Sequence, residues 1–299
     1  MGKKGKKAQA GKPKKPTPKD IGKRLDALVK QLEKELEGAD MFAPLTPTED
    51  CPICLVPLPR RQNKSYYKVC CGKTICHACV KENDAAIKVK NEKNAGNKDR
   101  PVIRDLCPFC RAPVPLSFGE ALTQFEERKL HNDYRVFHSL AIIFDDGQHG
   151  QAEDKMKALD HFIRAIELGS PESPSEIASL YREGTLTSQN MERSALFTKV
   201  AAIRGNVEGR HNIGAIEYDE RGNHELGIRH WKIAAEGGSQ PSLNALKAIY
   251  NADGEVPGKK FISKEDLDNV YRSCHEAQAE VSSEKRKKHW GSKNDKWKC

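Results

Sequence analysis

The 299-residue chain contains no long apolar run; its longest uninterrupted aliphatic or aromatic stretch runs from Leu140 to Phe144. A helix that crosses a bilayer needs about 18 or more such residues, so no membrane span is expected. An apolar segment is also missing from the start, which reads M-G-K-K-G-K-K. A secretory signal needs an apolar core behind its basic residues, so neither export nor a disulfide framework is expected. These absences point to a soluble protein inside the cell, in the cytoplasm, the nucleus or both. Aromatic residues make up 6% of the chain, and residues 1–24 have none. Stacking on single-stranded nucleic acid uses aromatic faces, so that segment offers charge alone.

Charge is present but uneven. Residues 1–24 carry ten Lys or Arg against one Asp, a net +9 that equals the formal charge of the whole chain. Residues 284–299 carry seven basic and two acidic residues, a net +5, so the body at 25–283 sums to −5. Lysine mixed with Pro, Gly and Ala cannot bury a core, and the basic tails at 1–19 and 285–299 are expected to be disordered. Such tails suit a nuclear address, contact with nucleic-acid phosphates or simple solubility, and lysine alone does not choose among them. His289, Trp290 and Trp297 add stacking surface to the second tail.

Cysteine is nearly confined to one window. Eight of ten fall between Cys51 and Cys110, as C-P-I-C at 51–54, C-C-G-K-T-I-C-H-A-C at 70–79 and C-P-F-C-R at 107–111. A C-x-x-C pair sets two thiolates on one turn and supplies half of a tetrahedral zinc site, so the window holds ligands for two structural zinc ions. Binding free energy of about 10–16 kcal/mol per structural zinc becomes folding free energy, which compensates for the few large apolar residues here.

The order and gaps of these pairs resemble the RING finger, in which pairs one and three share one zinc and pairs two and four the other. The resemblance implies a small zinc-stabilised α+β module over 50–112, with Cys51, Cys54, Cys76 and Cys79 on the first ion. Cys71, Cys107 and Cys110 fall to the second, with Cys70 as its fourth ligand and His77 as the alternative. The chain departs from the family at Cys71-Gly72-Lys73, where RING fingers usually carry C-G-H. A protonated lysine has no lone pair for a metal. RING ubiquitin ligases contact a ubiquitin-conjugating enzyme through positions that match Ile53 and Pro108, and an arginine matching Arg111 acts as a linchpin to the donor ubiquitin. By position alone Arg111 equally suits a solvated charge. The apolar residue that many such ligases carry a few places after the third pair has no obvious counterpart, since Val80 is followed by Lys81-Glu82-Asn83-Asp84. The polar stretch from Val80 to Leu106 reads as a helix followed by a flexible insertion, with Asn94 to Asn97 as its turn.

Beyond Pro115 the signal changes. Ala141, Ala178 and Ala215 lie 37 residues apart, as do Phe144, Tyr181 and Tyr218. A period of that length means a solenoid of helical hairpins. The wording at 210–238 resembles the Sel1-like repeat, a relative of the tetratricopeptide repeat, which implies an all-α helical-repeat solenoid over 128–255. Phe162, Tyr181, Tyr218 and Trp231 read as packing residues between layers, and Ala201, Ala202, Ala234 and Ala235 as points of close helix approach. A helix at 263–284, with Leu267, Val270 and Tyr271 on one side, is expected to cover the open end. Near the start, Ile21, Leu25, Leu28, Leu32 and Leu36 recur at three- and four-residue steps, which predicts an amphipathic helix over 20–38. A lone helix of this length is marginal in water, so it needs a partner. The adjacent zinc module and a second copy of the chain, giving a homodimer, are equally suitable.

Together the resemblances imply a RING-type E3 ubiquitin ligase that activates a ubiquitin-charged conjugating enzyme without a covalent intermediate. The repeats would bind a protein substrate or adaptor. Cys274, in the predicted cap, and Cys299, the last residue, do not suit a catalytic nucleophile. The other expectation is a non-enzymatic zinc-binding scaffold for protein–protein interaction.

Overall fold

The computed structural model describes residues 16–60, 64–94, 105–185 and 188–280. The basic tails expected to be disordered lie outside these residues, apart from 16–19. The first helix, α1 (Pro18–Glu37), starts two residues earlier than its apolar stripe suggests. Proline sits in its first turn, and Thr17 and Asp20 form a reciprocal capping box. Both features fix a helix start independently of what the helix packs against.

The cysteine-rich segment forms a two-stranded antiparallel hairpin, β1 (Ser65–Lys68) and β2 (Lys73–Cys76), in the register Ser65↔Cys76 to Lys68↔Lys73. It runs directly into α2 (His77–Asn94), so the polar residues after Cys79 are helical. The turn expected at Asn94 to Asn97 lies outside the described residues except for Asn94. The module's apolar core is small: Leu58, Ile75, Ala78 and Val80 are buried together with Cys51, Cys76, Cys79 and Cys107.

The remainder is helical. A leading helix α3 (Phe118–Lys129) precedes three hairpins: α4 (Tyr134–Asp145) with α5 (Lys155–Glu167), α6 (Ser173–Glu183) with α7 (Met191–Ile203), and α8 (Val207–Ala215) with α9 (His224–Glu236). A π-helical turn, Ile216–Glu220, extends α8. The second helices stop at Gly169, Gly205 and Gly238, all left-handed with φ between 88° and 91°. Each N–H just beyond these glycines donates back to a carbonyl of the last turn, a helix stop that favours a residue without Cβ. Phe162, Ala201, Ala202, Ala234 and Ala235 are fully buried, and Tyr181 and Trp231 are 5% exposed. They form an interior of interlocking helices. Tyr218 is half-buried, its ring against Trp231 and His224.

A fourth hairpin, α10 (Gln240–Asn251) and α11 (Lys264–Glu280), closes the array. Val270 and Cys274 of α11 are buried with Trp231 and Leu246. Tyr271, predicted on this apolar side, is instead 38% exposed, with Lys247 over its ring. Positions 270 and 274, one turn apart, set the buried stripe, and 271 is rotated about 100° from it. Among the described residues no helix is long and apolar enough to cross a membrane.

The partner of α1 is neither of those expected. Ile21, Leu25, Leu28 and Leu32 are buried across α5 and α7, in one cluster with Phe162, Ile166, Phe197 and Val200. The array therefore takes the stripe that a second copy or the cysteine-rich module would have needed. That module sits at the other end of the connection, on α3 and α4. Tyr67 and Val69 pack beside Phe125, Val136 and Leu140, and the Tyr67 hydroxyl donates to Asp133 at 2.8 Å.

Candidate metal centres

Two of the cysteine pairs sit on the same local structure. The segments C-P-I-C-L-V-P at 51–57 and C-P-F-C-R-A-P at 107–113 share cysteine and proline positions. In the first, Cys51 N–H donates to Val56 O (2.9 Å) and Leu55 N–H to Cys51 O (2.9 Å); in the second, Cys107 N–H donates to Ala112 O (2.8 Å) and Arg111 N–H to Cys107 O (3.0 Å). Isolated bridges Asp50↔Pro57 and Leu106↔Pro113 close the two loops. Each loop turns through a left-handed residue, Leu55 at φ 54° and Arg111 at φ 63°. This region is unfavourable for non-glycine residues and persists where the surroundings determine it, here by wrapping the chain around a sulfur pair.

The other two pairs come from the hairpin and the start of α2. Cys71 and Gly72 N–H groups both donate to Lys68 O, at 3.2 and 2.8 Å, and Gly72 is left-handed at φ 67°. A Cβ on Gly72 would stand 2.9 Å from the Arg128 guanidinium, whose side chain donates to Val69 O (3.2 Å) and Cys70 O (3.4 Å). The tight turn, clamped from α3, brings the adjacent Cys70 and Cys71 to one side of the module. Cys76 ends β2 and Cys79 lies in the first turn of α2.

The eight sulfurs converge in two groups, Cys51, Cys54, Cys76 and Cys79 in one and Cys70, Cys71, Cys107 and Cys110 in the other, with all Sγ atoms of a group within 4.8 Å of one another. Sγ–Sγ distances are 4.0 Å for Cys51–Cys79, 3.8 Å for Cys54–Cys76, 4.0 Å for Cys71–Cys107 and 3.5 Å for Cys70–Cys110. A tetrahedron with metal–sulfur bonds of about 2.3 Å has edges of about 3.8 Å, so both groups fit one tetrahedral ion. Cys70 joins the second group and His77 does not: its Nδ1 is hydrogen-bonded to the Tyr66 hydroxyl at 2.9 Å and its ring stacks on Tyr66.

Electrostatics agrees with the geometry. A hydrogen bond from the Cys76 thiol holds Cys51 down to about 4, whereas burial and neighbouring sulfurs push Cys71 and Cys79 up to about 11 and Cys70 higher still. Cys70, Cys71 and Cys79 thus resist ionising beside their neighbours, and a dication is the charge that would favour their thiolates. No disulfide joins any of the described cysteines.

Ile53 and Pro108 are half-buried, one in each loop, and Arg111 is exposed. The Arg111 guanidinium donates to Asn83 Oδ1 at 3.1 Å, and Asn83 Nδ2 donates to Leu106 O at 3.0 Å. Asn83 thus links α2 to the second loop, a role hidden in a stretch that reads as merely polar. Leu55, 75% exposed, and Phe109, 43% exposed, place an apolar side chain on the surface of each loop. The repeated C-P-x-C-x-x-P wording marks these two positions in the sequence.

No family model matches the chain, and no curated protein matches it. Among solved structures it is similar to a Sel1 repeat protein from Oxalobacter formigenes, at 20% identity and a TM-score of 0.47, over 54% of this chain and 65% of that one. A protective antigen of uropathogenic Escherichia coli displaying an SLR fold is 19% identical, with a TM-score of 0.44, over 56% of this chain and 37% of that one. An immunity protein from Pseudomonas aeruginosa is 15% identical, with a TM-score of 0.36, over 68% of this chain and 84% of that one. The chain spans under two thirds of the length of the first two. The helical-hairpin period described above is what carries the repeat assignment.

The array has its own polar interior. Arg210 is 1% exposed, donating to Met41 O and to Ala202 O (2.9 Å). Beside it, His230 is buried and stacked on Phe42 at 4.8 Å, and the Arg229 guanidinium lies over the Phe42 ring at 3.7 Å. The segment after α1 is therefore held to α8 and α9 through its backbone at Met41 and its ring at Phe42.

Proposed function

We propose that the protein is a RING-type E3 ubiquitin ligase whose two thiolate centres each hold a structural zinc ion and whose helical array carries a protein substrate or adaptor. The observation that carries this reading is the interleaving of the sulfur groups: loop one with the β2–α2 pair, and loop two with the hairpin-turn pair. When bound, zinc supplies rigidity, since four protein ligands leave no position for water. Ile53 and Pro108, one in each loop, offer the apolar contacts for a conjugating enzyme. Arg111 would reach from the second loop to the enzyme-bound ubiquitin, and Asn83 would hold its guanidinium ready. Such a ligase needs no nucleophile of its own. It acts by holding a thioester in a reactive geometry, which is catalysis by orientation. Buried Cys274 is unsuited to covalent transfer. The basic tails add a contact for nucleic-acid phosphates in this reading, and the cytoplasm and nucleus are its proposed locations.

The test is discharge of ubiquitin from a panel of charged conjugating enzymes. Discharge accelerated by the protein, and lowered about tenfold or more by Arg111→Ala with metal content unchanged, is the expected result. No acceleration with any enzyme, together with no binding of one, would leave the scaffold reading in its place.

A further inference from the structure

The face formed by α5 and α7 holds α1 as a receptor holds a ligand. α1 carries its own capping box, and the hairpin contacts that run from α4 through α10 do not pass through it. Its contacts lie far away in sequence and follow a charge pattern on either side of the Ile/Leu stripe. Near its start Arg24 pairs with Asp160 and with Glu167 (3.1 Å). In the middle Asp26 pairs with Arg193 at 2.9 Å. Near its end Glu35 makes a two-pronged pair with Arg204, at 2.9 and 2.7 Å, and Arg204 also donates to Ile166 O. The array thus offers an acidic end, two separate arginines and an apolar trough, a code for one helix direction as well as one helix type.

We propose that this face is the array's protein-recognition site, that it reads an amphipathic helix with Ile or Leu at steps of four, three and four, a basic residue in its first turns and an acid in its last, and that α1 is the resident competitor for it. This rests on the reading of the array as the substrate or adaptor arm and names the kind of segment it takes. A partner helix gains access when α1 swings out on the segment that follows it, which stays fastened through Met41 and Phe42. Because α1 is tethered to the same chain, the face is open for only a fraction of the time, and the apparent affinity for a partner is reduced by that fraction.

The experiment uses the full chain and a fluorescent peptide of residues 16–38, read by anisotropy, so that it does not depend on ubiquitin transfer. Leu28→Asp with Leu32→Asp should expel α1 while leaving the array folded, and should tighten peptide binding about tenfold or more over the unaltered chain. A synthetic helix that shares only the apolar steps and the three charges should bind the same variant, and a scrambled one should not. Adding Arg204→Glu should weaken the peptide, and a peptide with Glu35→Arg should recover it. If the double variant loses the helical signal of the array, α1 is part of the core and the proposal fails. It also fails if the folded variant binds no peptide, or if the unaltered chain is a dimer whose α1 helices are exchanged between copies. Failure of ubiquitin discharge with peptide binding intact would remove the ligase reading and leave this one standing.

Discussion

The cysteine-rich module and the helical array solve the same problem by opposite means. The module concentrates its cohesion in eight sulfurs around a small apolar core, whereas the array spreads it over many buried aliphatic and aromatic side chains of successive helical hairpins. A module of the first kind should lose a whole metal centre when one ligand is lost. An array of the second kind should weaken by degrees, since each hairpin contacts mainly its neighbours.

The largest expected effect therefore comes from the second thiolate centre. Cys70→Ser should lower bound zinc from two ions toward one and loosen the loop that carries Arg111, because Cys107 and Cys110 share that centre. His77→Ala should keep both ions, as its ring is engaged with Tyr66. Elemental analysis of the two variants decides between them. Zinc lost from the histidine variant alone would reverse the ligand assignment, and the array's helical signal should be unchanged in both.

Acid should separate the regions next. Burial holds His138, His161 and His230, all in the array, down to about 4 from the ordinary 6.5. The unfolded chain takes up these protons from about pH 6.5 downward while the folded array resists until near pH 4, so the unfolded state binds more protons across that window. The stability these three histidines contribute is full above about pH 6.5 and falls from there toward pH 4, offset in part by Glu176, which burial pushes up to about 7. Thermal melts followed by helical signal over this range should show that decline, and a melting temperature unchanged between pH 7 and pH 5 would contradict it.

The smallest of these effects is a local defect in the array. A methyl group at Gly214 would stand 2.6 Å from the Trp231 ring and 3.1 Å from Gly227 O, where α8 crosses α9. Gly214→Ala should cost about 1–3 kcal/mol, the usual range for overpacking a tight contact. Chemical denaturation should show it, without change in zinc content.

The sequence carries these two strategies with different completeness. The period of Ala141, Ala178 and Ala215 is local and repeated, so it announces a train of helical hairpins without fixing their bounds. The cysteine spacing likewise delimits the module, because two sulfurs three residues apart share a turn whatever surrounds them. The helicity of the polar stretch after Cys79 was legible as well. What could not be read was the use of single polar residues: Asn83 looks like a solvated side chain until the second loop brings Arg111 and the Leu106 carbonyl to it. Tyr271 was misplaced for a similar reason, since several apolar residues of α11 compete for one buried stripe.

The sequence by itself determined the pieces: a capped amphipathic helix, a cysteine-rich module with ligands for two ions, a train of helical hairpins and two basic tails. Each is written in short-range patterns that the chain's own geometry converts into a turn or a helix. Tertiary structure alone decided their partners. It brought Cys70 and not His77 to the second sulfur group, and laid α1 on α5 and α7 rather than on the module beside it in sequence. The physical reason is that an apolar stripe states that it must be buried but not where. The answer lies in ion pairs such as Arg24–Asp160 and Glu35–Arg204, whose members stand 136 and 169 residues apart and meet only once the array has formed.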